Sequence, residues 1–176
     1  RYPVRDPFFM MIRRSLNTFM NAFTSSDWTA YPFASQNRKD FNNLLDVYLD
    51  AVFFSRLDPL DFAQEGHRLE FAEPGDVDSE LTFKGVVFNE MKGAMSSPVS
   101  TLWQTLSKHL FPTTTYHYNS GGEPECIPDL SYEQLKAFYE VHYHPSNAVF
   151  MTFGDIPAAE HQQRFEERAL SEVKRL

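Results

Sequence analysis

Asn37-Arg38-Lys39-Asp40-Phe41-Asn42-Asn43-Leu44-Leu45-Asp46-Val47-Tyr48-Leu49-Asp50-Ala51-Val52-Phe53 is the stretch on which the fold turns. Phe41, Leu44, Leu45, Tyr48, Leu49, Val52 and Phe53 fall at i, i+3, i+4, i+7, i+8, i+11 and i+12, the spacing of one apolar helical face. Asn37 with Asp40 three residues on is a capping arrangement, in which a side-chain oxygen takes one of the free N–H groups of the first turn. The spacing therefore predicts a helix with one face committed to a core.

Immediately upstream the pattern is β-like. Thr18–Thr24 and Trp28–Ala34 are rich in aromatic residues and Thr, with Ser25-Ser26-Asp27 between them, and read as a hairpin whose second strand carries Pro32 at an exposed edge. Before it, Pro7–Leu16 reads as a short helix with Phe8, Met11 and Ile12 on one face and Asp6 as N-cap. Downstream, Asp58-Pro59 starts a short helix to about His67, Leu69-Glu70-Phe71 is a brief strand, and Glu73–Asp78 is a loop around Pro74-Gly75. Leu81–Met95 and Val99–Leu110 read as helices. Asn119–Pro124 is a turn, Ser131 with Gln134 is a capping box opening a helix that Pro145 ends, Ala148–Phe153 is a short apolar strand, and Pro157 begins a last amphipathic helix. Strands mixed with helices indicate an α+β fold, with helices packed on one face of a mostly antiparallel sheet.

The 176 residues are 42% hydrophobic and 23% charged, a globular composition with enough length for a sizeable core. Sixteen Lys and Arg against 24 Asp and Glu give a formal net charge of −8, so there is no cationic excess to displace counterions from phosphates and no polybasic membrane anchor. No nucleic-acid or membrane partner is expected. The single Cys126 excludes an internal disulfide framework. The chain opens at Arg1 without Met and closes on a charged helical pattern, which reads as a single partial domain of something longer.

The residue that carries chemistry is Glu90. On a helical wheel it shares a stripe with Phe83, Val86, Val87, Met91 and Ala94, where an ionised carboxylate is costly unless compensated. The compensator would be a metal or an Arg; otherwise the Glu reaches solvent from the edge of the stripe or pairs with Lys84 or Lys92. His142-x-His144 cannot share an ion from one helix, because residues two apart point in different directions, and the remaining histidines are scattered singles. Neither H-E-x-x-H nor H-x-x-E-H occurs, and there is no G-x-S-x-G nucleophile elbow. Cys126 is an inert thiol, and Asn119-Ser120-Gly121-Gly122 lacks the Lys and strand-to-helix context of a phosphate loop.

Gly85-Val86-Val87-Phe88-Asn89-Glu90-Met91-Lys92-Gly93 resembles the segment bearing the distal zinc-binding glutamate of presequence proteases, a branch of the pitrilysin and insulin-degrading-enzyme group of zinc metallopeptidases. Further blocks resemble the group in the same order: Ser15–Phe19 with Asn21–Thr24, Asp46–Phe54, Ser120-Gly121-Gly122, Ile127–Leu130, and His142–Ala148. The resemblance spans essentially the whole chain. It implies a segment from the C-terminal portion of the first, catalytic domain of a zinc endopeptidase that degrades short unfolded peptides, such as targeting presequences, in a closed chamber.

Glu90 would then ligate the zinc, whose other ligands and general base come from an upstream H-x-x-E-H helix. No catalytic residue of its own is implied for this segment, which alone would be inactive. Asn21-Ala22-Phe23 would hold the peptide as an added strand, although the same hairpin also reads as an ordinary internal sheet element. Many relatives carry a helper Glu seven residues before the zinc-binding one; here that position is Phe83. The remaining domains of the same polypeptide are further implied partners, and the implied compartment is a bacterial cytoplasm or a mitochondrial or plastid matrix. The rival reading is a non-catalytic homologue serving as a structural or peptide-binding module.

Overall fold

The structure, a computed structural model, describes residues 7–173. In chain order the elements are α1 (Pro7–Arg14), β1 (Asn17–Met20), β2 (Phe23–Thr24), β3 (Thr29–Ala30), β4 (Phe33–Ser35), α2 (Arg38–Phe53), α3 (Pro59–Asp61) running into a wide turn at Phe62–Gly66, β5 (Arg68–Phe71), β6 (Leu81–Lys84), α4 (Val86–Met95), α5 (Pro98–Leu110), α6 (Tyr132–His142), α7 (Ala158–Phe165) and, after a second wide turn at Glu166–Leu170, α8 (Ser171–Val173). The α+β class and the antiparallel pairing agree with the sequence. The strands form three separate two-stranded ladders, β1–β4, β2–β3 and β5–β6, among the described residues, rather than one sheet. The chain divides into two compact units. One takes residues up to Phe23, Tyr31–Arg56 and residues from Lys136 on; the other takes Thr24–Ala30 and Leu57–Leu135.

The first unit is organised by α2. Asn37 Oδ1 accepts the Asp40 N–H at 3.0 Å, as the capping pattern predicts. The stripe it opens buries Leu44, Leu45, Val47, Tyr48 and Leu49. Leu45 and Leu49 meet Phe165 and Ala169, with Phe33, Phe41, Phe53, Phe54, Phe150 and Leu170 around them. The buried Asp40 ties the start of α2 to the chain before β1: its Oδ1 accepts Ser15 Oγ at 2.7 Å and the Leu16 N–H at 3.1 Å. Arg164 of α7 clamps Asp46 through two contacts of 3.2 and 2.8 Å, and Arg38 pairs with Glu160. Both arms of the hairpin break in the middle. β1 pairs with β4 (Phe19↔Ala34, Met20↔Phe33), and the ladder is interrupted at residues 21–22 and 31–32, where Pro32 has no N–H to give. Asp6, the expected cap of α1, lies outside the described residues.

Two strand expectations change. Leu81–Lys84 is not the first turn of a helix but β6, paired in register with β5 (Leu69↔Phe83, Phe71↔Leu81). The reason is Gly85. A Cβ there would collide with the Gly66 carbonyl, so the chain passes backbone against backbone and the helix starts only after it. Ala148–Phe153, expected as a strand, has no regular secondary structure and joins no ladder among the described residues.

The second unit is held by small contacts. Asp58 caps α3 by accepting the Leu60 N–H at 2.8 Å, and Leu57 before it sits at φ +46°, a left-handed conformation unusual for a branched residue. Phe62 meets His67 and Tyr132 edge-on, His67 bonds the Leu130 carbonyl through Nε2 at 2.7 Å, and Phe83 leans on the buried Phe88. The Ser131–Gln134 capping box closes both ways, at 2.7 and 3.2 Å. No helix among the described residues is long and apolar enough to cross a membrane.

Candidate functional site

Glu90 lies in the middle of α4, five residues past the Gly85 junction. It is exposed, and so are its stripe neighbours Val86 and Val87. The apolar enclosure inferred from the wheel is therefore corrected in two respects. Phe83 belongs to β6 and not to the helix, and of the stripe that remains only Met91 is partly covered among the described residues, while Val86, Val87 and Ala94 stay exposed. Neither lysine pairs with Glu90. Lys84 Nζ bonds the Phe71 and Ala72 carbonyls at 3.0 and 3.3 Å and pairs with Glu70 at 3.5 Å, while Lys92 lies over the Phe88 ring at 6.0 Å. Among the described residues, Glu90 has no hydrogen-bond or ion-pair partner, so both of its carboxylate oxygens keep free lone pairs. A hard, anionic oxygen donor of this kind suits zinc. No group of three or more His, Cys, Asp or Glu is placed to hold a metal among the described residues.

The helix that presents Glu90 is braced by the Asn119–Gly122 turn. Met91 packs its thioether where a Gly121 Cβ would be, Gly122 adopts φ +94°, and Asn119 bonds the Met95 sulfur through Nδ2 at 3.4 Å. The Ser120-Gly121-Gly122 block thus has a packing role, because only glycine leaves room for the methionine.

Asn21-Ala22-Phe23 spans the hairpin break in the first unit. The Asn21 N–H donates to the Pro32 carbonyl at 3.1 Å, and the Ala22 N–H is taken by Asn21 Oδ1 at 2.8 Å. The buried Tyr48 of α2 places its hydroxyl 3.4 Å from the Asn21 carbonyl and 3.3 Å from that of Pro32. Burial pushes the Tyr48 pKa up, and the bond to Asn21 opposes this. Sequence reasoning treated Tyr48 as one more core residue; the available signal was a hydroxyl on an otherwise apolar stripe. Phe19 and Phe23, 6.0 Å apart, remain exposed beside the break.

The histidines read as structural are so placed. His142 packs on Phe138 at 4.3 Å, and His144 Nδ1 bonds Ser146 within the turn after α6. Nearby, Tyr31 and Tyr143 join hydroxyls at 2.7 Å, and burial followed by that bond raises the Tyr31 pKa.

A family model described as "Peptidase M16 inactive domain" matches residues 129–175. The chain belongs to the peptidase M16 family, also called the pitrilysin group. Its relatives there include "Presequence protease, mitochondrial" of Danio rerio, 59% identical over 175 residues. The proteins of the same name from Xenopus tropicalis and Mus musculus are 58% and 56% identical over 176 residues. These alignments cover 99–100% of this chain and 17% of each relative, so the chain spans about one sixth of their length.

Proposed function

We propose that these residues are the C-terminal portion of the catalytic domain of a zinc-dependent endopeptidase acting on short unfolded peptides, with Glu90 as a zinc ligand and Asn21-Ala22-Phe23 as the strand onto which the peptide adds. The observation that carries this reading is an unpaired carboxylate, Glu90, held on a braced helix whose apolar face stands open, within a sequence that aligns end to end with presequence proteases. Zinc, when bound, supplies a Lewis acid that lowers the pKa of a coordinated water and polarises the scissile carbonyl. The part of this chain is more limited. Glu90 contributes one anionic donor, and the Gly85 junction and the Gly121–Met91 contact fix where it points. At the hairpin, Tyr48 meets the inward carbonyls of the break, and a peptide adding to the other edge by main-chain bonds, which tolerate many sequences, would take the Ala22 N–H from Asn21 Oδ1. The names of the relatives favour a mitochondrial site of action.

The test is Glu90→Gln in the full-length protein. Bound zinc should fall from about one ion per chain towards none, with the fold retained by circular dichroism. Unchanged zinc removes Glu90 from the site. A second reading, a non-catalytic homologue, is favoured by the "inactive domain" description of the family model over residues 129–175. The two separate on the polypeptide upstream of Arg1: an H-x-x-E-H there supports the enzyme, and its absence supports the module.

A further inference from the structure

An antiparallel ladder joins opposite residues at alternate positions by a pair of bonds, each N–H going to the other residue's carbonyl. Asn21 and Pro32 stand at such a position, one step beyond the Met20↔Phe33 pair. Half of their exchange is made: the Asn21 N–H donates to the Pro32 carbonyl at 3.1 Å. The return bond cannot form, because Pro32 has no N–H. The Asn21 carbonyl therefore faces the partner arm with no main-chain donor opposite it. Tyr48 of α2 fills that gap. Its hydroxyl lies 3.4 Å from the Asn21 carbonyl and 3.3 Å from that of Pro32, so one O–H reaches both arms where the ladder lacks a donor. Tyr48 is 5% exposed and its ring leans on Phe33 at 4.8 Å, which fixes where the hydroxyl points. Burial pushes its pKa up, so the proton is retained and the group stays a donor.

This repair has a consequence on the opposite side of the strand. The Asn21 C=O and the Ala22 N–H belong to one planar trans peptide unit and point opposite ways. Pinning the carbonyl inward therefore aims the Ala22 N–H at the outer edge, where Asn21 Oδ1 now accepts it at 2.8 Å. We infer that the Tyr48 hydroxyl stands in for the missing Pro32 N–H and so orients the 21–22 peptide unit for an added peptide strand, which makes Tyr48 a positioning residue for substrate. This role rests on Asn21-Ala22-Phe23 being the strand onto which the peptide adds, and it is independent of Glu90 and of zinc. Without the hydroxyl, the Asn21 carbonyl loses its donor and the peptide unit is free to turn, carrying the Ala22 N–H away from the edge.

Steady-state cleavage of a quenched-fluorescent unfolded peptide by the full-length protein tests this. Tyr48→Phe keeps the ring and its packing and removes only the hydroxyl. KM should rise about fivefold or more with kcat within about twofold, because an edge strand holds the peptide alike in the ground and transition states. Pro32→Ala restores an N–H opposite Asn21, so in that background Tyr48→Phe should raise KM by less than about twofold. An unchanged KM in Tyr48→Phe, a loss carried by kcat instead, or an equal rise in both backgrounds overturns the role of Tyr48. Ala22→Pro removes the outward N–H itself. If Ala22→Pro raises KM and Tyr48→Phe does not, the strand reading stands and the role of Tyr48 falls. If Ala22→Pro leaves KM unchanged, the strand reading falls and takes the role of Tyr48 with it.

Discussion

Helices α2 and α5 carry the same kind of apolar stripe and meet opposite fates. In α2 the stripe is Leu44, Leu45, Tyr48 and Leu49, and it is buried against Phe165 and Ala169. In α5 it is Val99, Leu102, Trp103, Leu106 and Leu110, and it faces outward, with Trp103 65% exposed. Periodicity states which side of a helix seeks cover. Whether it is covered depends on a partner that the helix cannot specify by itself. The first unit contains such partners within its own residues. The second leaves the stripe of α5 exposed among the described residues.

The sharpest way to break this comparison is a pair of truncations in the 176-residue chain. Leu45→Ala should lower its stability to urea by about 2–5 kcal/mol, through lost transfer energy and a residual cavity. Trp103→Ala should change it by no more than ~0.5 kcal/mol, despite removing a larger side chain. If the two costs come out equal, α5 is covered after all.

Asp40 gives the next largest effect. Burial raises its pKa, but hydrogen bonds from Ser15, Ser35 and the Leu16 N–H outweigh burial and leave it below the ordinary carboxylate value. A carboxylate depressed on folding stabilises the fold above its unfolded pKa of about 3.9, and that contribution is lost as pH falls through the lower, folded value. Asp40→Asn should therefore flatten the acid limb of a stability–pH profile below about pH 4. An unchanged acid limb would show that the depression is not real. A more modest effect is expected at the start of α6, where Ser131→Ala should cost about 1 kcal/mol by thermal melting, because one free N–H of the first turn loses its acceptor.

What the sequence made legible was local. The Asn37 cap and the Ser131–Gln134 box each depend on residues within three positions and are found as read, and the helix start read at Asp58-Pro59 is found with Asp58 as its cap. The hairpin was legible because its aromatic arms flank a polar turn with Pro32 in the second arm, whereas the Tyr48 hydroxyl that meets the carbonyls at the break comes from a different element and was not legible. The errors came where the outcome depended on distant chain. Leu81–Lys84 fitted a helical stripe through Phe83, yet the close approach of Gly85 to Gly66 makes it a strand. Ala148–Phe153 was read as a strand from its apolar run, but it joins no ladder among the described residues, because a ladder needs a neighbour. For the site, the motif around Glu90 could be recognised, and of the two environments its stripe allowed, the described residues show the solvent-reaching one.

At the junction of β6 and α4, a hydrogen atom is all that fits between the Gly85 α-carbon and the carbonyl of Gly66. That clearance acts as a mechanical stop. The helix cannot begin a residue earlier, and each residue of slip would rotate every side chain along it by about 100°. A single methyl group at position 85 would meet the Gly66 carbonyl and force apart the junction from which the helix bearing Glu90 starts.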